Sequence, residues 1–130
     1  MVKPVVKMSE YFGNAIIVKK GLVDIVTDGK EAFYVASEGS KKRCGGIGDI
    51  LAGTIGSFVQ FAPSRSLEPV SSSLGVSSLA MCDSSLFGVV MACISVREAS
   101  NKAWKKKGHA LVAPDIIDEL SSSISEATEL

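Results

Sequence analysis

Residues 43–53 read Arg-Cys-Gly-Gly-Ile-Gly-Asp-Ile-Leu-Ala-Gly, a glycine-rich turn that runs directly into an apolar periodic segment. Apolar side chains then recur at every fourth position: Ile47, Leu51, Ile55 and Val59. This spacing predicts an amphipathic helix over 47–59. The first amide groups of a helix lack partners within it, and the helix dipole adds partial positive charge there. Glycines at such a start let a phosphate approach the backbone, so the stretch predicts an anion-binding turn.

Asp49 is the unexpected member of this turn, because a carboxylate repels an anion. It has a task if it accepts the proton of an alcohol that attacks a phosphoryl group. Three cations precede the glycines: Lys41, Lys42 and Arg43. Together these residues predict phosphoryl transfer from a nucleotide to an alcohol, with residues 45–48 as the phosphate cradle. The structural alternative is a tight turn in which Asp49 caps the helix.

The composition predicts one small domain and excludes several classes of protein. The chain has 130 residues, with 14 Lys and Arg against 14 Asp and Glu, which argues against a nucleic-acid platform or a polybasic membrane binder. No apolar run approaches the roughly 20 residues that a bilayer requires, and no targeting segment is visible. Three cysteines without CxxC spacing are typical of a reducing compartment, so we expect a cytoplasmic protein. The single histidine, His109, leaves no Cys/His metal cluster.

Before the glycine turn, the pattern predicts a short helix and three strands. The helix spans 1–12 and ends at Gly13-Asn14, and residues 15–18 form a buried strand of the kind found in parallel sheets. Strands over 23–27 and 32–36 are joined as an antiparallel hairpin, because Asp28-Gly29 lies between them. Residues 37–46 carry no periodic pattern and are predicted to form a loop.

After the turn, the pattern predicts an exposed loop over 62–73, a long helix over 84–107 and a short helix that begins near Pro114. The long helix is expected to be buried on most sides in its first half. The short helix is expected to direct four apolar side chains inward: Ile116, Ile117, Leu120 and Ile124. Residues 121–130 are expected to form a frayed tail.

Single residues outside the turn favour structural roles. Gly53 and Gly56, inside a helix, predict close packing against another backbone. Cys82 and Cys93 are expected in the core. His109 follows a helix-stopping glycine and is expected to be a solvated loop residue.

Two motifs resemble the ribokinase-like family. Residues 44–53 resemble its anion-hole motif, G-x-G-D followed by a helix, in the variant of the eukaryotic ATP-dependent NAD(P)H-hydrate dehydratases, the carbohydrate-kinase-domain proteins. Residues 20–29 resemble the same branch's K-G-x-x-D-x-I-x-D-G strand and turn. Residues 38–40 and 113–117 resemble its pre-basic turn and its terminal helix. The resemblance covers residues 15–120.

The resemblance implies an α/β fold, the C-terminal portion of a ribokinase-like three-layer α/β/α domain. It implies ATP-dependent dehydration of S-epimer hydrated NADH or NADPH, in which the hydroxyl is phosphorylated and phosphate then leaves. ATP and the hydrated dinucleotide are the implied partners, and Mg²⁺ accompanies the nucleotide. Asp49 is the implied base and substrate contact. The implied ATP contacts are Lys20, Gly21, Leu22, Val23, Asp24, Gly39, Ser40, Lys41, Lys42, Arg43, Cys44, Gly45, Gly46, Ile47 and Gly48.

The chain also departs from the family. Nothing before Ala15 resembles the βαβ units with which these domains start, and the N-x-x-E stretch that the family uses for magnesium is missing. We therefore expect the whole chain, residues 1–130, to be the C-terminal half of such a domain. Two alternatives stay open: a kinase for a small hydroxymethyl substrate, and a non-catalytic nucleotide-binding fragment. A homo-oligomer, and a mitochondrial form in full-length relatives, also stay open.

Overall fold

The computed structural model describes residues 2–61 and 84–128. The chain divides into two compact units, one of residues 1–36 and 59–90 and one of residues 37–58 and 91–130. The expected loop over 62–73 and the expected core residue Cys82 lie outside the described residues. None of the helices in the described part is long and apolar enough to span a membrane.

The first unit contains a helix and a three-stranded sheet: α1 (Lys3–Tyr11), β1 (Ile17–Lys19), β2 (Asp24–Thr27) and β3 (Ala32–Val35). The sheet has the order β1-β2-β3, and both pairings are antiparallel. The four residues of the central strand β2 are all buried. Helix α1 packs against β1 and β2, and Val5 of α1 and Ile25 and Val26 of β2 belong to the buried core.

The hairpin between β2 and β3 is confirmed, with Thr27 opposite Ala32. Asp28 Oδ1 accepts hydrogen bonds from the backbone amides of Lys30 at 2.9 Å and Glu31 at 2.8 Å. Partial burial alone would raise the pKa of Asp28, but these amides and the charge of Lys30 outweigh it and hold the pKa below its ordinary value. Gly29 has a φ of +87°, which its lack of a Cβ permits.

The predicted parallel type of the first strand is wrong. β1 pairs antiparallel with β2, with Ile17 opposite Thr27 and Lys19 opposite Ile25. Its residues are half-buried or exposed. β1 has one strand neighbour in the described part of the chain and lies at the edge of the sheet, so the continuous apolar run does not become a strand buried on both faces.

The second unit contains most of α2 (Ile47–Phe61), the C-terminal part of α3 (Ser84–Lys107), a 3₁₀ turn (Gly108–Ala110) and α4 (Ala113–Thr128). The predicted bounds of α3 are confirmed, and its first half is buried as expected, including Cys93. One core cluster of the unit consists of Ala99, Ala103, Leu111 and Ile116, with Cys44, Ile47, Ile50, Trp104 and Leu120 packed against it. Two Lys–Glu ion pairs, Lys102–Glu126 and Lys106–Glu119, join α3 to α4.

Three details of the helices differ from expectation. A Cβ added at Gly53 or Gly56 would meet no atom within 4 Å, and both glycines are exposed, so no described backbone packs closely against them. Ile117 is 55% exposed instead of inward. Residues 121–128, expected to belong to a frayed tail, continue α4, because Ser123 and Ala127 extend its buried stripe.

Candidate functional site

The glycine turn, residues 45–48, leaves the backbone open at the start of α2. Gly45 and Gly48 are exposed, and a Cβ added at either would meet no atom within 4 Å. Gly46 has a φ of +94°, and a Cβ there would lie 3.0 Å from the Cβ of Ala113. Ile50 N donates to Gly46 O at 3.0 Å, so the amides of residues 47–49 precede the hydrogen-bonded part of the helix. The turn therefore presents amides that lack a partner within the helix at the positive end of the α2 dipole.

Asp49 lies in the first turn of α2 and is exposed. Among the described residues its carboxylate makes no hydrogen bond and no ion pair. A capping aspartate would accept a hydrogen bond from a backbone amide of the first turn, so the structural alternative gains no support. The carboxylate is available to a ligand beside the turn.

A shallow groove of about 270 Å³ runs from Asp49 along α2 and α4. Its lining is mainly apolar, and Asp49 is the charged residue among the side chains that form it. The lining residues are Asp49, Ile50, Gly53, Thr54, Ser57, Ile117, Leu120 and Ile124. The acid thus stands at the edge of an apolar surface, where a carboxylate can face a ligand that is only partly in water.

The basic loop, residues 37–44, leads into the glycine turn and is anchored on α3. Arg97 Nε donates to Ser37 O at 2.6 Å, and Ser40 N donates to Ser100 Oγ at 3.3 Å. Ser100 Oγ in turn donates to Arg97 O at 2.7 Å. These bonds bring residues 39 and 40, for which the family resemblance implies ATP contacts, alongside α3.

The three cations of the basic loop differ in their surroundings. Lys42 Nζ donates to His109 O at 2.7 Å and to Leu111 O at 3.1 Å. Lys41 and Arg43 are exposed. Cys44 is half-buried against the core cluster that contains Leu111. The structure therefore brings residues 39–49 together in the second unit, but directs one of the three cations at protein atoms.

Residues 20–24, the first part of the K-G-x-x-D-x-I-x-D-G motif, form a closed turn in the first unit. Asp24 is fully buried. Its Oδ1 accepts from Gly21 N at 2.9 Å and its Oδ2 from Lys20 Nζ at 2.8 Å. A Cβ on Gly21 would lie 2.9 Å from Val23 O. Leu22, at the tip, is 91% exposed, so the carboxylate of Asp24 holds the turn from inside while Leu22 faces outward.

Sequence reasoning missed the residues that hold the basic loop in place. Arg97 and Ser100 act from α3, 60 residues downstream of their partners. His109 is exposed as expected, but it lies in the 3₁₀ turn (Gly108–Ala110) and not in a loop, and its carbonyl oxygen contributes to the anchor. Backbone carbonyls exist at every residue, so no local pattern signals this use of them.

Comparison with known proteins yields one family. A family model described as NAD(P)H-hydrate dehydratase matches residues 3–122. The ATP-dependent (S)-NAD(P)H-hydrate dehydratase of Homo sapiens is 33% identical over 125 residues, which cover 96% of this chain and 33% of that protein. The proteins of the same name from Pongo abelii and Dictyostelium discoideum are 32% and 35% identical, and the matches cover 35% and 36% of their lengths. The chain thus spans about a third of the length of these relatives.

Proposed function

The chain belongs to the NAD(P)H-hydrate dehydratase family, and from that premise we propose that it takes part in ATP-dependent dehydration of hydrated NADH or NADPH. The observation that carries the proposal is the open glycine turn with an exposed, unpaired Asp49 beside it. Such a turn is suited to hold phosphates, and such a carboxylate is suited to accept a proton. The names of these relatives specify ATP and the S epimer, and they supply the substrates of the proposal.

In the proposed reaction, Asp49 takes the proton of the ring hydroxyl of the hydrated nicotinamide. The hydroxyl oxygen then forms a bond to the γ-phosphorus of ATP, the bond from that phosphorus to the β–γ bridging oxygen breaks, and ADP leaves. The C–O bond breaks next, phosphate departs with the electron pair, and loss of a proton from the adjacent carbon restores the ring double bond. Phosphorylation thus converts a poor leaving group, hydroxide, into a good one.

The proposed ATP contacts fall in both motifs. The amides of the glycine turn, residues 45–48, and the exposed cations ahead of it, Lys41 and Arg43, contact the phosphates, because positive charge and backbone N–H groups are concentrated there. The contacts proposed for residues 20–24 involve the outward side of that turn, because the carboxylate of Asp24 already accepts hydrogen bonds from Lys20 and Gly21.

Mg²⁺ accompanies ATP in this proposal as a counter-ion of its phosphates. Within residues 2–61 and 84–128, no group of three His, Cys, Asp or Glu side chains could hold a metal ion. Residues of this part of the chain therefore receive no ligand role. We place the reaction in the cytoplasm, which suits the free thiol of Cys44.

Product analysis tests the proposal. The 130-residue chain is incubated with ATP and hydrated NADH, and we expect recovery of the absorbance of reduced nicotinamide together with stoichiometric ADP and phosphate. Asp49→Asn should lower kcat by about 10²- to 10⁴-fold, because the base is lost, while the Kd for ATP stays within about twofold. Asp118→Asn, the same change at an exposed residue of α4, is the matched control.

Two results would contradict the proposed reaction, and a third would contradict the role of Asp49. A stable phosphoester in place of restored NADH would identify a small-molecule kinase instead. Bound ATP without turnover in the wild-type chain would identify a non-catalytic nucleotide-binding fragment. Unchanged turnover in Asp49→Asn would remove Asp49 from the reaction.

A further inference from the structure

A lysine ties the basic loop to the segment between α3 and α4. Lys42 Nζ donates to two carbonyl oxygens, of His109 at 2.7 Å and of Leu111 at 3.1 Å, which lie 67 and 69 residues further along the chain. Lys42 is half-buried, whereas its neighbours Lys41 and Arg43 are exposed. We propose that Lys42 is a positioning residue: it holds the glycine turn in its anion-binding shape and does not itself contact the nucleotide. This inference rests on the proposed binding of ATP.

The two acceptors explain why a cation is placed there. His109 lies in the 3₁₀ turn that follows α3, and Leu111 comes directly after that turn. Carbonyl groups at the end of a helix lack partners within it and carry partial negative charge. A protonated amine satisfies two of them at once, and hydrogen bonds from a charged donor are the stronger kind. If Lys42 contacted a phosphate, its ammonium group would first have to break the hydrogen bonds to both carbonyl oxygens.

The same segment, residues 108–113, also meets the other end of the glycine turn. Ala113 leaves no room for a side chain at Gly46, since a Cβ there would lie 3.0 Å away. Cys44 and Ile47 pack against the cluster that contains the fully buried Leu111. Lys42 thus attaches the start of the glycine turn to residues 108–113, the segment that also packs against Gly46. The positions of the turn's amides therefore depend on the two hydrogen bonds of Lys42.

The hydrogen bonds of Lys42 imply that the cations of the basic loop have different roles. Lys41 and Arg43 are exposed and lie in sequence on both sides of Lys42. An exposed cation is stabilised little by contacts with the protein, so its side chain can approach a phosphate. Lys41 therefore serves as the natural comparison, because it has the same chemistry one residue away but lacks the anchoring bonds.

Hydrogen exchange of the nucleotide-free chain separates positioning from contact. In Lys42→Met we expect amides in residues 39–50 and 108–113 to exchange about tenfold faster than in the wild type, and ATP to bind about tenfold more weakly. In Lys41→Met we expect exchange to be unchanged while ATP binding weakens. Lys42→Arg, whose guanidinium can donate to both carbonyls, should restore exchange and affinity.

Three results would overturn the proposal: weaker ATP binding by Lys42→Met with unchanged exchange, which indicates direct contact; faster exchange with unchanged affinity; and no change in either. If the wild type fails to bind ATP, the proposed function fails, and the exchange comparison still decides whether Lys42 orders the turn.

A milder variant covers the case in which Lys42→Met does not fold, as judged by circular dichroism. Lys42→Gln keeps N–H donors but removes the charge. Positioning predicts that its exchange and its ATP affinity change together or not at all. A loss of ATP affinity with wild-type exchange would show that the nucleotide requires the charge, and would reject the proposal.

Discussion

Gly46 and Gly48 illustrate how two glycines of one turn serve different needs. Gly46 occupies a left-handed conformation, with φ +94°, and faces Ala113 at close range. Gly48 stands in the first turn of α2 with open space where its Cβ would be. The first glycine is required by the protein's own geometry. The second is required, under the proposed function, by the ligand.

Valine substitutions separate these needs. Gly46→Val should lower the free energy of unfolding by about 2 kcal/mol or more, because a β-branched residue is strained at positive φ and would press on Ala113. Gly48→Val should leave the free energy of unfolding within about 0.5 kcal/mol but weaken ATP binding about tenfold, since its side chain would keep phosphates away from the amides. Urea unfolding and ATP titration of both variants provide the measurements.

The comparison has a clear negative outcome. Wild-type ATP affinity in Gly48→Val would show that phosphates do not approach the turn on that side. Wild-type stability in Gly46→Val would show that the turn can adopt another conformation without cost.

At the scale of elements, the β2–β3 hairpin carries its own pH dependence. The folded-state pKa of Asp28 is lowered, chiefly by the amides of Glu31 and Lys30 acting against the effect of burial. A depressed pKa contributes stability that is present above the unfolded-state pKa, about 3.9, and is lost as the pH falls through the folded-state value. The hairpin should therefore weaken in acid.

Asp28→Asn tests this dependence. At neutral pH the variant should be slightly less stable than the wild type, because an amide oxygen accepts the two backbone bonds less strongly than a carboxylate. The difference should shrink towards zero as the pH is lowered below about 3.9. Denaturant unfolding of both proteins between neutral and acidic pH measures it, and a difference that stays constant across that range would refute the assignment.

The elements that sequence predicted well are those whose signals are local. The bounds of α3 follow from a continuous apolar pattern and a stopping glycine, Gly108. The hairpin follows from Asp28-Gly29. The partner of β1 depends on topology, which an apolar run such as residues 15–18 does not encode, so its antiparallel pairing was missed. For the same reason, the anchors of the basic loop, 60 to 69 residues distant, had no readable signal.

For the glycine turn and the basic loop, sequence predicted which residues lie next to one another, but not what each of them contacts. The glycines and Asp49 are adjacent in the chain, so their juxtaposition follows from the helix start. The inward-facing role of Asp24 and the carbonyl partners of Lys42 arise from folding and could not be predicted. A run of basic residues shows that cations are present, but it does not show which of them will form hydrogen bonds with the protein's own carbonyl groups.

At the scale of the whole molecule, ligand binding and stability are linked. A ligand that binds the folded chain and not the unfolded one raises the free energy of unfolding by about 2.7 kcal/mol at a concentration 100 times its Kd. For a chain of this size that corresponds to a rise in Tm of about 10 °C. Because the proposed contacts are concentrated on phosphates, adenosine at the same concentration should raise Tm far less than ATP does. Differential scanning calorimetry measures both shifts, and Gly48→Val should lose most of the ATP shift. Equal shifts with ATP and adenosine would place the binding energy on the base, and would remove the glycine turn from nucleotide recognition while leaving the fold and its family membership intact.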